Sequence, residues 1–146
     1  MISEEKQTPV KEYLGEIKRL SVAIDSMERS IETLREDIAS IQGISYDKDR
    51  VQSSASSDGM VNKMIRLDEL VSEMEDTMIE RAKKRAEITT QITMMPNGTY
   101  MQILFKRYVE MQKFEQIALD MCYSYDRVRH LHQEACETFG EIYNIK

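Results

Sequence analysis

The stretch "TPVKEYLGEIKRLSVAIDSMERSIETLREDIASIQG", residues 8–43, keeps a seven-residue apolar repeat from one end to the other. Val10, Ile17, Ile24, Ile31 and Ile38 recur every seven residues, and Tyr13, Leu20, Met27, Leu34 and Ile41 follow each of them by three. Alternating steps of three and four draw one stripe along a helix, and a stripe sustained this long is the pattern of a coiled coil. Thr8 suits an N-cap with Pro9 at the first helical position, and Gly43 suits a stop. A helix over 9–42 would be a rod of roughly 50 Å at ~1.5 Å per residue. A rod cannot bury its stripe on itself, so it needs a partner.

Working outward, "ISYDKDRVQSSASSDG", residues 44–59, is rich in Ser and Asp and loses the periodicity, which predicts a loop over 43–58 with Ser57 or Asp58 capping the next helix. From Met60 the stripe resumes through Met64, Leu67, Val71, Met74 and Met78. Arg81 and Arg85 then fall on the seam before Ile88, Ile92 and Met95 restore it. Arginines in a dry seam are costly, so either the packing face drifts onto Ile79, Ala82 and Ala86, or the helices splay and the arginines stay wet. Pro96 ends the helix, and "PNGT" reads as a turn capped by Thr99. The expected arrangement is an antiparallel hairpin of helices 9–42 and 59–95 within a domain 1–95. A compact unit over 96–146 follows, and pairing of two hairpins makes a homodimer the natural extension.

Composition agrees with helix. Charged residues make up 32%, Gly and Pro total seven, there is no Trp, and Met occurs eleven times. No apolar run approaches the ~18–20 residues of a membrane span. The start "MISEEK" is unlike a secretory or transit segment, and two cysteines suit a reducing cytoplasm. The formal charge of −6 is uneven: residues 1–58 hold 8 Lys and Arg against 12 Asp and Glu, whereas residues 96–146 hold 6 against 7. A near-neutral C-terminal segment can meet DNA if its charges segregate to one face.

That segment divides into three helical stretches. "TYMQILFKRYVEMQ", from residue 99, turns Met101, Leu104, Phe105, Tyr108 and Val109 inward and Lys106 and Arg107 away. "KFEQIALDM", from 113, groups Phe114, Ile117, Ala118 and Met121. After "CYS", Ser124 is the expected N-cap of a helix whose inward face is Val128, Leu131, Ala135 and Phe139. A small residue where two helices cross, with apolar anchors a turn apart in each, is the helix-turn-helix pattern. Cys122 occupies the turn position where a left-handed glycine is usual. On this reading Ser124, Tyr125, Arg127, Arg129, His130 and Gln133 face outward on the recognition helix. Arg suits guanine, Gln suits adenine, and Ser or Tyr suits phosphate; Lys106, Arg107 and Lys113 are the phosphate-side candidates.

Other chemistry is poorly provided for. Cys122, His130, His132 and Cys136 cluster in sequence, but His130 and His132 lie about 200° apart on a helix, so only His132 and Cys136 could share an ion. No Gly-rich phosphate loop or nucleophile–base order is present. No enzyme, cofactor or metal is expected.

Residues 99–139 resemble the helix-turn-helix of sigma-factor region four in Leu104, Arg107 and Tyr108, then Phe114, Glu115, Ile117 and Ala118, the Tyr-Ser turn, and His132 with Ala135. Together with a Tyr46, Val51, Gln52, Ser54 phrase, the chain resembles phage and prophage transcriptional regulators of the RinA and ArpU types. The resemblance implies a protein of the bacterial host cytoplasm that controls late or packaging-related phage genes by binding promoter double-stranded DNA. The alternative is a coiled-coil interaction module that docks on RNA polymerase or another phage protein without reading DNA.

Overall fold

The computed structural model describes residues 8–47 and 53–146, and it is all-α, with no strand among the described residues. Helix α1 is Pro9–Leu14, α2 Glu16–Asp47, α3 Ser53–Thr93, α4 Gly98–Leu104, α5 Phe114–Met121 and α6 Tyr125–Tyr143; a π-helical turn, Phe105–Val109, continues α4. Thr8 caps α1, its side chain accepting from the Lys11 N–H, with Pro9 in the first turn. Gly15 lies between α1 and α2 while the backbone ladder continues, from the Gly15 N–H to Lys11 O and from the Arg19 N–H to Gly15 O.

The expected loop 43–58 is shorter than the sequence implied. Gly43 does not stop α2, which runs to Asp47, and α3 begins at Ser53, ahead of the proposed caps Ser57 and Asp58. A Gly costs a helix interior only ~1 kcal/mol and Ser or Asp less, so a polar stretch without apolar periodicity can still be a solvated helix. Tyr46 lies in α2 and Ser54 in α3, whereas Val51 and Gln52 lie outside the described residues.

The chain forms two compact units, Leu20–Glu80 and a second combining the residues up to Arg19 with Arg81–Lys146. This differs from the expected division into 1–95 and 96–146. In the first unit α2 and α3 run antiparallel: Asp37 lies 4.0 Å from Lys63, and Leu34 shares a shallow cleft with Leu70. Leu20, Ile24, Ile31 and Ile38 are buried on α2, as the repeat requires.

In the second unit Val10, Leu14 and Ile17 share one core with Ile88, Ile92 and Met95 and with Leu104, Val109, Ala135, Cys136 and Phe139. Tyr13 Oη donates to Gln91 Oε1 at 2.6 Å, and Tyr143 Oη to the Gln91 carbonyl at 2.6 Å. Gly140 gives α1 its approach to α6, since a Cβ there would sit 2.8 Å from Val10 Cγ2. The seam does not drift as one expectation had it: Ile79, Ala82 and Ala86 are exposed. Arg85 and Lys83 face solvent, and Lys84 lies 5.3 Å from the Tyr13 ring centre. The cap of α4 is Asn97 rather than Thr99, its side chain accepting from the Thr99 and Tyr100 N–H groups.

Candidate nucleic-acid interface

The candidate interface is set by the turn between α5 and α6. Ile117 and Ala118 are buried with Phe114, Ile103 and Val128, and Met121, Tyr123 and Leu131 pack around them. Cys122 adopts the left-handed conformation, φ 58° and ψ 40°. The Tyr123 N–H reaches back to Ala118 O at 3.0 Å and the Cys122 N–H to Leu119 O at 3.3 Å. This paired closure satisfies carbonyls that a helix end otherwise leaves open. Ser124 then caps α6, its Oγ accepting from the Arg127 N–H at 3.1 Å. The inward residues come out as the spacing implied, with Val128, Ala135 and Phe139 fully buried.

The outward residues are more constrained than the sequence disclosed. Ser124, Tyr125, Arg127, His130 and Gln133 are exposed and Arg129 half-buried. Arg127 stacks over Tyr123 at 4.9 Å, and Arg129 lies 5.8 Å from the ring of Tyr125, which meets Phe114 edge-on. Gln133 has both ends of its amide engaged: Oε1 accepts from Lys11 Nζ at 3.3 Å, and Nε2 donates to Glu137 at 3.2 Å. Arg129, His130 and Gln133 line one shallow cleft together with Asp126, Glu134 and Glu137, so its electrostatics are mixed rather than uniformly positive.

The three phosphate-side candidates separate. Lys113 is exposed beside the start of α5. Lys106 lies 3.8 Å from Asp120, in a different cleft lined by Met101, Phe105, Met121 and Tyr123. Arg107 does not point away: it is half-buried, 4.0 Å over the Phe114 ring, and donates to the Gln112 carbonyl at 3.2 Å. The π-turn is the reason. The Glu110 N–H bonds Phe105 O and the Gln112 N–H bonds Lys106 O, which rotates the turn relative to an α-helix, and Met111 then takes φ 58°.

His132 belongs to the interior, 1% exposed. Its Nε2 lies 2.7 Å from Tyr108 Oη and 3.5 Å from Cys136 Sγ, and Phe114 packs edge-on against the ring. Burial, with the Lys11 and Arg107 charges adding to it, lowers its pKa to about 3, so the ring is neutral. His132 and Cys136 thus meet as the i, i+4 spacing allows. Among the described residues no group of three His, Cys, Asp or Glu side chains is placed to hold a metal ion. The sequence signal for this buried cluster was the His132–Cys136 spacing; Tyr108, 24 residues away, carried none.

No helix among the described residues is long and apolar enough to cross a membrane. Comparison of the chain with protein-family models, with curated proteins and with solved structures finds no match.

Proposed function

We propose that the chain is a phage-type transcriptional regulator of the bacterial cytoplasm that binds promoter DNA through α5 and α6, without catalysing a reaction. The observation that carries this reading is the left-handed turn at Cys122, closed by Tyr123 and followed by the Ser124 cap. It holds the first two turns of α6 with Tyr125, Arg127 and His130 exposed and Arg129 beside them. That is the part of a recognition helix which reaches base edges. Arg127 and Arg129 are the readout residues, Ser124, Tyr125 and Lys113 contact phosphates, and Gln133 instead orients α6 through Lys11 and Glu137. Self-association fits the α2–α3 edge, where Leu34 and Leu70 line a shallow cleft beside Arg29 and Thr33 that a second copy can cover.

One observation favours a different class. Asp126, Glu134 and Glu137 share the cleft with the basic residues, which suits a protein surface such as RNA polymerase better than a phosphate backbone. Titration of the full chain into phage intergenic DNA at several salt concentrations separates the two. DNA binding predicts affinity falling steeply with salt, and Arg129→Ala lowering specific more than non-specific affinity. A flat salt response, or no shift at low salt alongside capture of purified polymerase, overturns it.

A further inference from the structure

We propose that the exposed face of α3 between Val61 and Ile79 docks a basic amphipathic helix from another protein. Nothing in the DNA reading requires this, and the face lies within the Leu20–Glu80 unit. Val61, Met64 and Ile65 are 50, 46 and 52% exposed, and Met78 and Ile79 are 41 and 56% exposed. No described side chain of α3 from Asp58 to Glu80 is buried, although Leu20, Ile24, Ile31 and Ile38 on α2 are. At 100° per residue the five apolar residues fall within an arc of about 140°, and Asp68, the half-buried Val71, Ser72 and Glu75 lie inside the same arc. The result is two apolar patches about 21 Å apart, the rise from Met64 to Met78, with carboxylates between them.

Charge selects the occupant. Residues 58–80 hold seven Asp and Glu against Lys63 and Arg66. Both cations are committed elsewhere: Lys63 faces Asp37 at 4.0 Å, and Arg66 faces Glu69 at 3.3 Å and Glu73 at 3.9 Å. Asp68 and Glu75 make no ion pair among the described residues. A second copy docked two-fold on this face would match patch to patch, but it would crowd Asp68 and Glu75 of both copies together without a cation between them. Like charges so placed oppose association. A helix with apolar anchors about four turns apart and Lys or Arg between them satisfies both features, and methionines adapt to varied anchors.

The test uses the full chain and a labelled peptide of about 20 residues, with Leu and Trp anchors about 14 apart and Lys and Arg between, read by fluorescence anisotropy. Binding that weakens with salt, and is absent for an analogue with Glu in place of the Lys and Arg, is the expected result. Asp68→Lys with Glu75→Lys should weaken it by about tenfold or more, and Ile79→Ser should weaken it also. Glu32→Lys with Glu36→Lys, exposed on α2, should leave it unchanged. Circular dichroism should show equal helicity in every variant. Equal affinity after reversal of Asp68 and Glu75, equal loss with the α2 pair, or no binding at low salt overturns the proposal. So does light scattering in which Met78→Ser with Ile79→Ser converts a dimer to monomer, because the face then belongs to a second copy.

Discussion

Lowering the pH from 7 to 5 should destabilise this protein through His132. The native ring is buried against Tyr108, Cys136 and Phe114 and takes a proton only near pH 3, whereas the unfolded side chain takes one near 6.5. Between those values the unfolded chain binds a proton that the folded chain does not. Stability is therefore complete above pH 6.5, falls as pH drops below it, and stops falling near pH 3. At pH 5 the loss is about 2 kcal/mol, one and a half pH units at about 1.4 kcal/mol each. With an m-value of about 2 kcal/mol per molar urea, the unfolding midpoint moves down by about 1 M. Urea titrations at pH 7, 6 and 5, followed by near-ultraviolet circular dichroism of the tyrosines, measure it. His132→Gln lacks the titrating ring, so it should lose most of this dependence whatever its stability at pH 7. Parallel pH curves for the two proteins would refute the reasoning.

Substitutions at Tyr108, Cys122 and Gly140 probe the same unit by chemical unfolding. Tyr108→Phe removes the hydroxyl at 2.7 Å from His132 Nε2, leaving that atom the weaker Cys136 Sγ at 3.5 Å, and should cost about 1 kcal/mol. Cys122→Gly relieves the left-handed backbone at an exposed side chain; it should raise stability by about 0.5–1 kcal/mol, while Cys122→Ala should not. Gly140→Ala should lower stability by about 1 kcal/mol, the contact with Val10 outweighing the gain in helix propensity, and combined with Val10→Ala its effect should shrink.

Features encoded by neighbours in sequence were legible before the structure. The α2 stripe, the Thr8 and Ser124 caps and the grouping of Phe114, Ile117 and Met121 each depend on residues three to seven apart, where helix geometry alone decides who meets whom. The Cys122 position was legible too, because a helix closed so abruptly needs a left-handed residue whatever its side chain. What escaped reading depends on distant pairs or on irregular backbone. Gln133 is engaged by Lys11, 122 residues away, and no local pattern announces that. Arg107 turned inward because the π-turn rotated it onto Phe114, and such a turn obeys neither helical period. The 95/96 boundary followed the Pro96 break. A helix break marks where the backbone bends, whereas the units follow burial, and Ile88, Ile92 and Met95 bury against residues on both sides of it.

The junction of Val10 with Gly140 has a consequence for synthesis. Val10, Leu14 and Ile17 leave the ribosome long before Ala135 and Phe139, which complete their core. At about 5–20 residues per second, the roughly 120 intervening residues impose a wait of roughly 6–25 s. During that time the early helix is apolar on one side with its final partner unmade. The unit closes only when α6 arrives, so a fragment beginning at Pro96 lacks one wall of its core. Truncated chains should aggregate or bind chaperones, and α1 becomes the gauge of whether α6 has arrived.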